Sequence, residues 1–176
     1  FAFSQGNRTV TYGDTDFTVT AQGAETGAVV RYSSSDPSVA SVDPGTGSVR
    51  ILKAGSAVIT ATASETEDYL EAKSTYTLTV LPKALSWDVS ALEAKDRLDR
   101  IKGQAATLYG ELRLTGILEK DAGTVRFECQ SDRLSGSYKT VAAGSQKVTL
   151  SWKSAQDMAV LQGEGSGNYT MPAALP

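Results

Sequence analysis

Short runs rich in Val, Ile, Thr and Tyr recur along this chain, and clusters of Gly, Pro, Asn, Asp and Ser separate them. Each run is about as long as one β-strand, and helical periodicity is mostly absent. Residues 75–80 alternate strictly, with Tyr76, Leu78 and Val80 on one face and three threonines on the other. Because side chains in a strand alternate with a period of two, one face of the sheet points towards a core and the other towards water. The pattern predicts an all-β protein with half-exposed sheets.

A boundary between two modules is expected at Leu81-Pro82-Lys83, where a strong strand pattern meets a proline that cannot donate a ladder hydrogen bond. The charge changes at the same place. Residues 1–82 hold 5 basic and 9 acidic residues, a net charge of −4, whereas residues 83–176 hold 12 and 11, a net charge of +1. We therefore predict two domains with these limits.

Residues 91–101 are the one segment that does not read clearly as a strand. They contain good helix formers, and Ala91, Ala94, Leu98 and Ile101 form an apolar stripe at helical spacing. The sequence leaves two alternatives for this segment, a short helix or a strand.

Cys129 is the only cysteine, so the chain forms no internal disulfide and contains no Cys-x-x-Cys redox or zinc motif. In a strand predicted over residues 123–130, Cys129 shares a face with Val125 and Phe127. This placement favours a small buried apolar side chain over a reactive thiol.

The first half resembles the bacterial Ig-like domains of group 2. Residues 30–43 read VRYSSSDPSVASVD, and the likeness continues through GSVR at 47–50, AGSAVITAT at 54–62 and YTLTV at 76–80. It covers most of residues 6–81. The resemblance implies that Gly47 and Gly55 serve turns, and it implies core positions at Val39, Val42, Val58, Ala61, Tyr76, Leu78 and Val80.

The second half is similar to the YDG-like domain found beside such Ig-like repeats in bacterial surface proteins, over about residues 84–171. The likeness lies in ALSW at 84–87, LRLTGIL at 112–118 and GNYT at 167–170. Together the two resemblances imply tandem immunoglobulin-like β-sandwiches. They also imply an extracellular location, on a bacterial cell surface or secreted, and a non-catalytic role as a stalk, a spacer or an adhesion module.

Composition and motifs argue against an enzyme. The chain has no histidine, which removes the commonest general base and metal ligand together with every Ser-His or Cys-His nucleophile. It also lacks a Gly-x-Ser-x-Gly motif, and GEGSG at residues 163–167 reads as a turn. An enzyme that uses carboxylates alone stays open as an alternative, and it requires two acids that face each other across a cleft.

Charge and hydropathy restrict the partners and cofactors. The net charge is −3 and the basic residues are dispersed, which speaks against a nucleic-acid partner, and no apolar run is long enough for membrane insertion. No cofactor is expected, and clustered acids leave calcium as the alternative. The candidate acids lie in one predicted loop and one predicted turn: Glu65, Glu67, Asp68, Glu71, Asp14 and Asp16.

Aromatic side chains supply the only candidate ligand residues. A carbohydrate-binding module stacks sugar rings on exposed aromatic faces, and Trp87 and Tyr138 are our candidates for that role, whereas Trp152 lies on the apolar face of its predicted strand. This alternative function predicts a glycan partner. The adhesion reading predicts a host or cell-surface protein, neighbouring modules of the same chain, or self-association through an edge strand.

Overall fold

The computed structural model of the chain describes residues 1–95, 105–127, 129–138 and 148–176. Two compact units make up the molecule. The first consists of Phe1–Lys83 and Gly167–Tyr169, and the second of Ala84–Ser166 and Thr170–Pro176. The first unit thus includes three residues from near the C-terminal end of the chain. The domain limits predicted above, 1–82 and 83–176, are meant as limits of independently folding segments, and they stay a prediction.

The first unit is built from nine strands. They are β1 (Ala2–Phe3), β2 (Arg8–Thr11), β3 (Phe17–Thr18), β4 (Ala21–Gln22), β5 (Val30–Ser34), β6 (Ala40–Val42), β7 (Ser48–Ile51), β8 (Gly55–Ala63) and β9 (Ala72–Leu81). One sheet has the order β2-β9-β8-β5 and a second the order β3-β7-β6, while β1 pairs with β4. The pair β2–β9 is parallel and the others are antiparallel.

The two long strands of the first unit carry its core by alternation. In β9 the side chains of Tyr76, Leu78 and Val80 are buried, which confirms the prediction from residues 75–80. In β8 the buried side chains are Ala57, Ile59, Ala61 and Ala63. Val49 and Ile51 of the second sheet are buried as well. The apolar residues that follow the period of two thus form one face of each sheet.

The core position expected at Val58 is wrong. Val58 is 39% exposed, and its backbone exchanges hydrogen bonds with Ser35 on the outer side of β8. Since Ile59 and Ala61 point inwards, the period of two places Val58 on the opposite face.

The turn between β6 and β7 depends on one carboxylate and one glycine. Asp43 Oδ1 accepts hydrogen bonds from the amides of Gly45 and Thr46, at 3.0 and 2.7 Å, and from the Thr46 hydroxyl group. These bonds lower the pKa of Asp43 below its usual value. Gly47 closes the turn with a φ of 70°, a conformation that glycine adopts without a steric penalty. The turn that the resemblance implies at Gly47 is thus confirmed, and it joins β6 and β7 in a hairpin.

The described residues of the second unit form β-strands as well, apart from single-turn 3-10 helices. Its central strand is β13 (Ala105–Thr115). The other strands of this half are β10 (Lys83–Ala84), β11 (Ser86–Asp88), β12 (Leu92–Lys95), β14 (Cys129–Gln130), β15 (Leu134–Tyr138), β16 (Val148–Trp152) and β17 (Tyr169–Thr170). Strands β11, β12, β14 and β15 all pair with β13, and β16 pairs with β15.

The helical alternative for residues 91–101 is wrong where the structure describes them. Leu92–Lys95 form β12, which pairs with β13 from Leu92↔Gly110 to Lys95↔Thr107. Residues 96–101 lie outside the described part of the chain. The long central strand offers ladder hydrogen bonds and a half-buried site for Leu92, and these tertiary contacts override the local helix propensity.

The strand predicted over residues 123–130 is much shorter in the structure. Of its described residues, Cys129–Gln130 form a strand, β14, while Arg126 makes an isolated antiparallel bridge with Gln162. A 3-10 turn at Glu119–Asp121 leads into this region, and Glu128 lies outside the described residues. The alternation that suggested a full strand still places Val125 and Cys129 in the interior.

Candidate functional site

Trp87, the first candidate ligand residue, lies in β11 at the centre of an aromatic cluster. Its ring centroid is 5.6 Å from that of Phe127 and 6.4 Å from that of Trp152. All three rings are partly buried and pack against the core of the second unit. Four buried residues form that core: Leu112, Cys129, Leu134 and Ala159.

The polar edge of Trp87 is also engaged within the protein. Its indole N–H donates a hydrogen bond of 2.6 Å to the carbonyl oxygen of Ala174. The neighbouring rings are inclined at 58° and 65°, so they do not form a flat platform with Trp87. The second candidate, Tyr138, ends β15, and its side chain lies outside the described part of the structure. A ligand role for either residue stays a prediction.

Cys129 lies in the same core and is fully buried. Burial raises the pKa of its thiol, because the thiolate would lose solvation there. The nearby Arg133 favours the thiolate only in part, and Asp132 and Asp157 oppose it. The thiol is thus held in its protonated, unreactive form, in agreement with the prediction of a small buried apolar side chain.

The acidic loop of the first unit, residues 64–71, is organised by its own backbone. The amide of Thr66 donates to the Tyr69 carbonyl group, and the Tyr69 amide donates back to the Thr66 hydroxyl group. Glu71 pairs with Lys73 at 2.8 Å. Within the described ranges, no three acidic side chains lie close enough together to hold a metal ion.

Asp14 and Asp16, the other acids considered for calcium, bind groups of the protein. Asp14 Oδ2 accepts a hydrogen bond of 2.8 Å from the Thr11 amide, which closes the turn after β2. Asp16 Oδ1 accepts from the Ile51 amide, and its other oxygen lies 3.5 Å from Nε of Arg50. The turn role that the sequence favours is confirmed for Asp14, whereas Asp16 bonds to residues distant in the sequence.

A carboxylate pair suited to hydrolysis is not found among the described residues that line the larger grooves. One groove of about 430 Å³ in the second unit contains a single carboxylate, Glu111, which forms an ion pair with Arg113. Retaining and inverting glycosidases both need a second carboxyl group across the cleft. The described lining of this groove does not supply that group.

Sequence reasoning missed another groove of the second unit, of about 510 Å³. Two exposed arginines, Arg126 and Arg133, line it together with Met158 and Val160, which are 56% and 62% exposed. No sequence signal marked this groove, because residues 158–161 read MAVL, an apolar run without alternation. In the described part of the chain this run belongs to no strand.

These observations define the class of protein: an all-β chain whose first unit is an immunoglobulin-like β-sandwich. Residues 2–74 match the family model described as bacterial Ig-like domain (group 2), which confirms the resemblance seen in the first half. The match ends before the second unit, so the YDG-like interpretation of that half has no support. No helix among the described residues has the length and apolarity to span a bilayer.

Among solved structures, the chain is similar to human protocadherin-24 EC1-2 at 11% identity and a TM-score of 0.35, covering 97% of this chain and 94% of that one. For Drosophila N-cadherin EC1-3 the identity is 11%, the TM-score 0.33, and the coverage 97% and 67%. For surface layer protein SbsC, domains 1-6, the identity is 16% and the TM-score 0.30, and the match covers 91% of this chain and 22% of that one. Likenesses at these TM-scores do not extend to function. No curated protein matches the chain.

Proposed function

We propose that this chain is a non-catalytic module pair of a bacterial cell-surface or secreted protein, acting as a stalk or spacer or in adhesion. The observation that carries the proposal is the match of residues 2–74 to the bacterial Ig-like domain. A YDG-like identity for the second half is a further, finer part of the same proposal. An enzymatic activity is not part of it.

The arrangement of the residues that carry the resemblance supports a structural role for the first unit. Val39, Tyr76, Leu78 and Val80 are buried. A Cβ atom at Gly55 would lie 2.9 Å from Val39, so that position, too, serves packing. The residues that carry the resemblance therefore build the sandwich rather than a cleft. Such a unit can be repeated or extended without loss of a chemical site.

The structural role also fits the interactions that stabilise the sheets within each unit. The chain has a single cysteine, and the described residues hold no metal-binding cluster, so the sheets rely on packing and ladder hydrogen bonds. We expect the chain to fold and unfold reversibly in the presence of a chelator and a reductant.

The location is tested by antibody labelling of the bacterium that encodes this chain. We expect an antibody raised against the 176-residue fragment to label intact cells or to detect the protein in the culture medium. Permeabilised cells serve as the control for total protein. Labelling that requires permeabilisation would contradict the proposal.

The choice between a spacer and a binding module is tested on an array of glycans and matrix proteins. The fragment is compared with Tyr138→Ala and with Trp87→Phe, which keeps an aromatic ring in the core but removes the indole N–H group. Tyr69→Ala, at a 55% exposed position of the first unit, is the matched control. Specific binding that is lost in Tyr138→Ala and Trp87→Phe but kept in Tyr69→Ala would support the carbohydrate-binding alternative. A folded fragment that binds nothing on the array favours the spacer role.

A further inference from the structure

The groove lined by Arg126, Arg133, Met158 and Val160 includes a stretch of backbone that has no strand partner among the described residues. The residues from Met158 to Leu161 belong to no strand, and their amide and carbonyl groups make no hydrogen bond within the part of the chain that the structure describes. The next residue, Gln162, is held by two hydrogen bonds to Arg126, of 2.8 and 2.9 Å. The segment is therefore anchored at one end, and its other backbone groups have no hydrogen-bond partner among the described residues.

The side chains of this segment alternate as they do in a half-buried strand. Ala159 is 9% exposed and packs in the core, whereas Met158 and Val160 on either side of it point outwards. A strand edge with unpaired backbone groups is a template for an added strand from another chain. Exposed apolar side chains on the same edge offer contacts to alternate residues of that strand.

The charges of the groove select the kind of strand. The guanidinium groups of Arg126 and Arg133 form no ion pair or hydrogen bond with the described residues, and both side chains are exposed. Asp157, which lies close by in sequence, accepts a hydrogen bond from the Ser154 hydroxyl group at 2.6 Å. Because arginine binds carboxylates through two parallel hydrogen bonds, two unpaired arginines in one groove favour an acidic ligand.

We propose that this groove binds an extended, acidic peptide segment of a protein partner. The segment adds as a β-strand to the edge at Met158–Val160 and places carboxylates on Arg126 and Arg133. The volume of about 510 Å³ lies within the range of pockets that hold small ligands or a few residues of a peptide. The proposal goes beyond the stalk or adhesion role, which does not depend on it.

Isothermal titration calorimetry of the full chain with a capped hexapeptide of alternating valine and glutamate tests the proposal. A short edge offers few hydrogen bonds, so we expect a dissociation constant on the order of 100 μM that rises with salt concentration. Amide chemical-shift changes at residues 158–161 locate the site. Absence of binding at about 5 mM peptide would overturn the proposal.

Two altered peptides separate the contribution of the backbone from that of the charge. The same sequence with alternate amides N-methylated keeps its carboxylates but loses the donors of one edge, and we expect it to bind at least about tenfold more weakly. A peptide of alternating valine and lysine should not bind. Equal binding by the N-methylated peptide would show that no strand is added and would overturn the proposal.

Variants of the protein test the contributions of the two arginines and of the edge amides. Arg126→Gln with Arg133→Gln should weaken binding at least about tenfold, and Arg31→Gln, an exposed arginine of the first unit, is the matched control. Val160→Pro removes one edge amide that has no partner among the described residues, whereas Val160→Thr keeps it. We expect only the proline variant to lose peptide binding, with both variants folded by circular dichroism.

Polygalacturonate, a polymeric carboxylate without peptide groups, is the competing ligand in the same experiment. We expect it to displace the glutamate peptide weakly or not at all. Tighter binding by polygalacturonate, lost with the arginine pair, would identify an acidic glycan as the ligand and overturn the peptide proposal.

Discussion

Tyr76 carries a phenol whose hydroxyl group is buried in the first unit and has no hydrogen-bond partner among the described residues. Its ring packs edge-to-face against Phe3, with centroids 4.9 Å apart. Burial raises the pKa of Tyr76 to about 12, although Arg8 opposes the shift in part. The unfolded chain releases this proton near the ordinary pKa of 10.0, so the folded state binds more protons between the two values.

The stability of the first unit should therefore be fully present below pH 10 and decline as the pH rises towards 12. The Tyr76 contribution to that decline is about 2 to 3 kcal/mol. Tyr76→Phe should abolish the Tyr76 contribution to the alkaline decline in stability. At pH 7 the variant should be as stable as the unaltered chain or about 1 kcal/mol more stable, because a buried hydroxyl group without a partner is removed. Urea unfolding followed by circular dichroism at pH 7, 9 and 11 measures both effects.

Tyr69→Phe is the control for this prediction, since the Tyr69 side chain is 55% exposed. It should leave the alkaline decline in place. A loss of more than about 1 kcal/mol at pH 7 in Tyr76→Phe would mean that the hydroxyl group forms a stabilising hydrogen bond after all.

Cys129 should react with thiol reagents only when the core of the second unit opens. The side chain is fully buried, and burial raises the pKa of the thiol, so the native protein presents neither access nor thiolate. We expect reaction with Ellman's reagent at pH 8 to be at least about a hundredfold slower in the native protein than in urea. The comparison is Cys129→Ala with Ser135→Cys, which moves the thiol to an exposed position of β15. Equal native rates for the two thiols would contradict the prediction.

At the scale of elements, the β6–β7 turn shows how one backbone conformation fixes a hairpin. A Cβ atom at Gly47 would lie 2.3 Å from the carbonyl oxygen of Val19, and the φ of 70° is unfavourable for any other residue. Tyr32 of β5 lies against the same glycine, 3.2 Å from the added atom. The turn is therefore packed into the sandwich and is more than a surface connection.

Gly47→Ala should lower the free energy of unfolding of the first unit by about 2 kcal/mol or more, because the backbone has to move away from Val19. Gly45→Ala is the control from the same turn, since its Cβ atom would meet only Asp43 Oδ1, at 3.6 Å. We expect the control to change the stability by less than about 0.5 kcal/mol. Chemical denaturation followed by far-UV circular dichroism distinguishes the two, and equal effects would argue against the tight fit at Gly47.

At the scale of the whole molecule, the residues that complete the first unit include a segment distant in sequence. Asn168 Oδ1 accepts a hydrogen bond of 2.8 Å from the Ala54 amide, and Asn168 is itself buried. The ring of Tyr169, also buried, packs edge-to-face on Tyr12, with centroids 5.6 Å apart. Loss of these contacts would expose an aromatic core residue and leave a backbone amide without its acceptor.

A fragment ending at residue 82 should therefore be less stable than the first unit within the full chain. Tyr169→Ala in the full chain should lower the stability of that unit by about 3 kcal/mol, as for other buried aromatic side chains. Tyr69→Ala, at an exposed position, is the matched control and should change it little. Hydrogen exchange at the amides of β2 and β8 measures the effect in both proteins. Equal protection in the fragment and the full chain would show that residues 1–82 fold independently, as first predicted.

The first unit follows closely from local sequence patterns. The strict alternation of residues 75–80 predicts which side chains of β9 face inwards, and the Asp-Pro-Gly run predicts the β6–β7 turn, because side-chain period and turn chemistry act over a few residues. The match to the bacterial Ig-like domain could be anticipated for the same reason. The resemblance misplaced Val58, which lies between the buried Ala57 and Ile59, because a shift of one residue turns a side chain to the other face of the sheet.

Tertiary structure decided the features that depend on partners distant in the sequence. Leu92–Lys95 became a strand because β13 offered a ladder, and Trp87 entered the core because Phe127 and Trp152 lie against it. The groove at Arg126 and the return of Asn168 to the first unit likewise join residues that no local pattern connects. Long-range packing selects among conformations that local propensity leaves nearly equal in free energy, so only the folded chain could determine them.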